Sequence, residues 1–191
     1  MNALRVLRAA DRTAEPWRNG GGLTRPVMTC PASADANDFL WRASVATIDA
    51  PSRFSRFDGM DRRFALIQGR LLLSIESEAR WLSEDDAAIA FAGEVEVAAR
   101  PAGGSVLAFN LIARRGHASV EMFRSTGEAV DLMRGTTLAL ALERMTIDGP
   151  AGPALLEPLD ALVCDRSERD RLTLPPRAIV ARILTSTNCP Q

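Results

Sequence analysis

The residues able to do chemistry in this chain are few, and most are arginines. All 23 basic residues among its 191 are Arg. Without a lysine there is no amine for a Schiff base and no ammonium that burial could turn into a general base. Tyr is absent and His117 is the single histidine, so groups that titrate near neutral pH are scarce. Divalent-metal centres with open positions take two or three histidines plus a carboxylate. One histidine excludes a histidine-rich centre by counting, and no metal or other cofactor is expected. His117 follows Arg114-Arg115-Gly116 and reads as a solvated or capping residue of a turn. Asp58 and Asp61 could serve as an acid–base pair if their pKa values were pushed apart. Arg56, Arg62 and Arg63 lie beside them, which favours solvated ion pairs. No Ser or Cys stands in a GxSxG context, so no catalytic residue is assigned.

The stretch Glu15-Pro16-Trp17-Arg18-Asn19-Gly20-Gly21-Gly22-Leu23-Thr24-Arg25 is the other chemically suggestive feature. Three glycines in a row are expected where the chain turns sharply, or where bare N–H groups meet a ligand or a neighbouring strand. A phosphate loop is disfavoured, because no Lys-Ser or Lys-Thr follows and Pro26 holds Arg25 extended. The stretch therefore leads into a strand, and its glycines serve either a turn or a ligand.

Stepping from these residues to the elements that carry them, the pattern is of short strands. Phe39–Ile48 alternates, with Phe39, Trp41, Ala43 and Val45 on a core face and Leu40, Arg42, Ser44 and Ala46 on the other. That second face suits either solvent or the lumen of a small barrel. Pro51–Arg63 is an aromatic, Arg-rich loop of the kind that borders a site. Phe64–Ile67 and Arg70–Ile75 flank Gln68-Gly69 as an expected hairpin. Short strands follow at 79–82, 87–91 and 94–98, and Pro101-Ala102-Gly103-Gly104 marks a turn. Ser105–Ala113 alternates again, placing Asn110 in a row with Val106, Ala108 and Ile112, where a buried amide needs partners or a ligand. Seven more short strands are expected between 119 and 184, with 154–162 and 178–184 also compatible with helix. Such spacing indicates an all-β sandwich or barrel.

The net charge of −1 and the scatter of the arginines give no footprint for nucleic acid or an anionic membrane. No apolar run is long enough for a membrane span or a signal peptide, so a cytoplasmic protein is expected. Cys30, Cys164 and Cys189 are odd in number and far apart, and they read as reduced thiols.

Several blocks together resemble the HutD/Ves family of small bicupins. They are Pro16–Thr24, Phe39–Ala46, Phe54–Arg62, Phe91-Ala92-Gly93-Glu94, and Phe109-Asn110-Leu111 leading to Arg114-Arg115-Gly116. They span about the first 115 residues. The resemblance implies an all-β bicupin, two double-stranded β-helix, jelly-roll-like lobes packed in one compact unit, the first lobe about 1–115 and the second about 116–191. It also implies that Arg42, Ser44 and Ala46 line a barrel. The family is associated with histidine utilisation, with a proposed role in binding N-formylglutamate or a related intermediate, and its Ves branch is linked to stress responses. Ala50-Pro51-Ser52 and Ala108-Phe109-Asn110 depart from the pattern; the second lacks an acid expected there.

On this basis the expected partner is a small anionic metabolite. Arg42, or Arg62 from the rim, would clamp a carboxylate, with Trp17, Asn19, Thr24, Ser44, Asp61 and Asn110 completing the site and the N–H groups of Gly20 and Gly21 admitting the polar end. An unpaired buried Arg is costly, so Arg42 must meet Asp61, Glu15 or a ligand. Two other classes stay open: a cofactor-independent isomerase or lyase using Asp58 or Asp61, and a protein-interaction module. A homodimer is also left open.

Overall fold

The computed structural model describes residues 4–32, 38–132, 135–149, 152–166 and 170–185. Strands β1 (Leu4–Leu7), β2 (Glu15–Pro16), β3 (Gly22–Cys30), β4 (Trp41–Ile48), β5 (Ser52–Arg53), β6 (Met60–Ile75), β7 (Glu78–Leu82), β8 (Ile89–Ala92) and β9 (Val97–Arg114) occupy the first 114 residues. They are followed by β10 (Ala118–Arg124), β11 (Ala129–Leu132), β12 (Gly135–Ala141), β13 (Met145–Gly149), β14 (Gly152–Leu156), β15 (Ala161–Arg166), β16 (Asp170–Thr173) and β17 (Ala178–Thr185). The one helix among the described residues is a single 3-10 turn, Ala9–Asp11. The protein is all-β, as its strand periodicity requires, and no described helix is long and apolar enough to cross a membrane.

The strands form two compact units, one running from Thr13 to His117 and the other combining β1 and the turn up to Arg12 with β10 to β17. In the first unit, β2-β3-β4-β9-β6-β7 make one antiparallel sheet, with β5 added to β9 and β8 to β6. Its core is built from Ile48, Phe64, Leu66, Leu71, Leu73, Val106 and Ala108. In the second, the order is β1-β15-β12-β17-β10, with two hairpins, β11-β16 and β13-β14. Leu132, Ile147, Leu156, Leu162, Leu174 and Val180 are its buried centre. Leu4–Leu7 pairs with Cys164–Ala161, so the opening strand goes with the later strands, not with residues 13–115. Nothing in its own residues signals that distant partner.

Three expectations are corrected. Gln68-Gly69 is not a hairpin turn. β6 runs unbroken from Met60 to Ile75, and both halves pair with β9, with register shifts around Gln68. Gly69, at φ +94°, lets the strand bend where a Cβ would stand 2.7 Å from Val106 Cγ1. Gly103 and Gly104, also at positive φ, bend β9 and are not a loop between strands. Glycine here marks a barrel corner, which a sequence pattern does not distinguish from a turn. Secondly, 154–162 is not a helix but a turn between the end of β14 and the start of β15, which pair with β13 and β12, while 178–184 is the strand its pattern suggested, paired with β10 and β12. Thirdly, Cys30 is disulfide-bonded, while Cys164 is a buried cysteine. Separation along the sequence is no guide to distance in an antiparallel fold.

Candidate functional site

Register places the functional side chains in rows. Arg42 on β4 lies opposite Ile112 on β9, which lies opposite Arg62 on β6. In the next row Ser44, Asn110 and Phe64 are aligned, and in the third Glu15, Thr24 and Ala46. These residues, together with Trp17, Phe54 and Phe57, line a cavity of about 480 Å³. The Arg42 face therefore lines a lumen and not the outer surface. The alternate residues Trp41, Ala43 and Val45 are fully buried behind it.

Arg62 is the central group. It is 4% exposed, and among the described residues neither it nor Arg42 forms an ion pair. Its Nη1 donates to Ser55 O at 3.3 Å and its Nη2 to Asn110 Oδ1 at 3.3 Å. Its guanidinium lies over three rings, Phe54 and Phe91 at 5.0 Å and Phe57 at 5.7 Å. Arg42 stacks on Phe39 at 4.9 Å and on Phe57 at 5.7 Å. The Nε atoms of both arginines are buried without a partner. Desolvation, and then the like charge of Arg42, pull the Arg62 pKa down to about 9. Arg42 is lowered as well, by burial, with Glu15 acting the other way. Two cations share a wall of aromatic faces, and cation–π attraction replaces part of the lost hydration. No carboxylate is ion-paired with either of them among the described residues. Asp61, one candidate partner for Arg42, is turned away to Arg115 at 2.9 Å, and Glu15 is exposed at the mouth.

The glycine stretch holds the mouth together. Trp17 N–H donates to Gly22 O and Gly20 N–H to Trp17 O, closing a tight turn, and Gly21 O accepts from Asp49 and Ala50 N–H. A Cβ on Gly22 would overlap the Thr47 carbonyl, so glycine is what lets this turn close on β4. Asn19 lines the cavity, but its amide is engaged in the turn, with Oδ1 on Gly21 N–H and Nδ2 on Arg53 O. Trp17 stands edge-on to Phe54, and its Nε1–H donates to Thr24 Oγ1 at 2.7 Å.

A family model for HutD matches residues 9–181. The chain belongs to the HutD family. Over 115 residues it is 38% identical to the uncharacterized 21.2 kDa protein in the hutC 3′ region of Pseudomonas putida, the match covering 59% of this chain and 59% of that protein. A structure of HutD from Pseudomonas fluorescens SBW25 (formate condition) superposes with a TM-score of 0.86 at 26% identity, covering 97% of this chain and 100% of that one. A conserved protein of unknown function from Pseudomonas aeruginosa PAO1 superposes at 0.80 and 27%, with 97% and 100% coverage. The all-β bicupin architecture and the association with histidine utilisation follow from this membership.

Of the ten residues singled out from sequence, this HutD chain gathers Trp17, Asn19, Thr24, Arg42, Ser44, Arg62 and Asn110 around one cavity. Gly20, Gly21 and Asp61 do not line it. The two glycines spend their N–H groups on the turn itself. Asp61 joins Arg115 and Glu94 in an ion-pair cluster. That cluster explains several of the HutD-like blocks. Gly93 N–H donates to Met60 O, Phe57 N–H to Gly93 O, and Arg115 Nη2 to Met60 O. A side chain on Gly93 would overlap the Phe57 carbonyl, so these residues set the position of Phe57 beneath both arginines. The ring faces of Phe39, Phe54, Phe57 and Phe91 were missed as site residues, although the aromatic loop was not. Ile112 and Phe64 were legible in principle, being in phase with Asn110 and Arg62. Among the described residues no three His, Cys, Asp or Glu side chains could hold a metal. The lining presents arginine donors where a divalent cation needs imidazole or carboxylate. His117 is an exposed turn residue, its Nδ1 3.3 Å from Arg115 O.

Proposed function

We propose that this chain binds a small anionic metabolite of the N-formylglutamate type without a metal and acts as a regulator of histidine utilisation. The observation that carries the reading is the pair of guanidiniums, Arg42 and Arg62, on one cavity with no carboxylate paired to either among the described residues. Burying a charge without a counter-ion costs several kcal/mol, and an anionic ligand offsets that cost. A cavity of about 480 Å³ suits an acylated amino acid or a dicarboxylate. The lyase or isomerase alternative loses its acids: Asp61 is held by Arg115, Asp58 faces Arg56 in the open, and neither lines the cavity.

The test is thermal unfolding with N-formylglutamate, glutamate, urocanate and citrate, each with and without EDTA. Ligand at about 100 times its Kd stabilises by about 2.7 kcal/mol. A selective rise in Tm that survives EDTA and disappears in Arg42→Met supports the reading. No shift with any of the four at tens of millimolar refutes it.

A further inference from the structure

We propose that Asn110 is the residue with which this cavity distinguishes an acid bearing a carbonyl from one without. The inference rests on the anion-binding reading above and narrows its ligand to a dicarboxylate that carries a keto or acyl oxygen. A guanidinium has five N–H donors and no acceptor. Whatever Asn110 turns toward Arg62 must therefore be its oxygen, and Oδ1 stands 3.3 Å from Nη2. Its NH₂ is thereby turned away from Arg62, and it has no partner among the described residues. Asn110 lines the cavity between Ser44 on β4 and Phe64 on β6.

A second side chain has its polarity set in the same way. The Trp17 indole only donates, and it gives its hydrogen to Thr24 Oγ1, so the hydroxyl hydrogen of Thr24 is left to be given elsewhere. With the two guanidiniums, the floor meets a ligand almost entirely with hydrogens, and the acceptor-only Glu15 is confined to the exposed mouth. A carboxylate clamped by Arg42 and Arg62 leaves the Asn110 donor unused. An unmade hydrogen bond in a desolvated site is penalised, and a carbonyl oxygen on the ligand removes the penalty, whereas an ammonium group in that place would face donors.

Calorimetric titration of the full chain with 2-oxoglutarate and 2-methyleneglutarate tests this, since the two carry equal charge and differ by oxygen against CH₂. The protein should bind 2-oxoglutarate about tenfold tighter, the worth of one hydrogen bond. Asn110→Leu should bring the two within about twofold. Asn110→Asp keeps size and shape but has no hydrogen to give, and it should also erase the difference while weakening both probes through its charge. Equal binding by the unmodified protein, or a preference retained in the variants, overturns the role of Asn110 and leaves the anion site standing. Failure of both probes to bind at tens of millimolar overturns the anion site and this inference together.

Discussion

Replacing Arg62 by Met should make the protein more stable and unable to bind its anion. A guanidinium pulled from its ordinary value down to about 9, by burial first and then by Arg42, carries a penalty of about 5 kcal/mol at neutral pH. Three aromatic faces at 5.0 to 5.7 Å return about 3 kcal/mol as desolvated cation–π contacts. Met would fill the same slot, keep contact with the rings through sulfur, and relieve Arg42 of a like charge. It would leave Ser55 O and Asn110 Oδ1 without their long bonds to Arg62. The balance is a gain of about 1–2 kcal/mol, within the range seen when buried ions give way to apolar side chains. For a chain of this length that is a rise in Tm of about 2–8 °C. The sign with pH is also determined. Below both pKa values the penalty is complete, and it eases only as pH rises above about 9 toward the ordinary guanidinium value, where the unfolded state holds the extra proton. The gap between Arg62→Met and the unmodified protein should therefore be flat from about pH 5 to 8. Differential scanning calorimetry across that range, with parallel titration of N-formylglutamate, reads both effects. A loss of more than about 2 kcal/mol on substitution would mean that the guanidinium holds the fold together, and the argument that its charge is kept for a ligand would fail.

Four further outcomes follow from the geometry. Gly93→Ala should cost about 3 kcal/mol in chemical denaturation and weaken anion binding by displacing Phe57, because its Cβ overlaps the Phe57 carbonyl; Gly20→Ala, at φ +71° in open space, should cost only about 1 kcal/mol. Asp61→Asn, altering an ion pair outside the cavity, should leave affinity for dicarboxylate probes within about twofold, and a tenfold loss would return Asp61 to the binding site. Asp160→Asn should destabilise by about 2–3 kcal/mol at neutral pH, because the side chain accepts from Ala9 N–H, Glu157 N–H and Arg8 at 2.7 to 3.0 Å. Burial alone would raise that carboxyl, but these bonds outweigh it and hold it below the usual range. The stability it supplies is present above the unfolded value near 4 and lost as pH falls through the lower folded one. The difference between protein and variant should therefore shrink below about pH 4, and a constant difference down to pH 2 would contradict the assignment.

Much of this site could be read along the chain because a strand's period of two is a local property. Once Arg42, Ser44 and Ala46 share a face, whatever that face borders receives all three, and the same holds for Asn110 with Ile112. The scarcity of acid–base groups, the all-β class and the Trp-Gly turn were equally local, since each depends on composition or on neighbouring residues. Whether the Arg42 face met water or a lumen was not local. It depends on β4 lying between β3 and β9 and on β6 bringing Arg62 into the same row, a matter of pairing across tens of residues. The corner at Gln68-Gly69 follows the same rule: the glycine signalled a bend, and only the shared partner β9 decided that the strand continued through it. Asp61 and Arg62 are adjacent in sequence and opposite in fate, one drawn outward to Arg115 and Glu94, the other buried among phenylalanine rings. Alternation sends neighbours to opposite faces, but which face is the inside is determined only when the sheet closes.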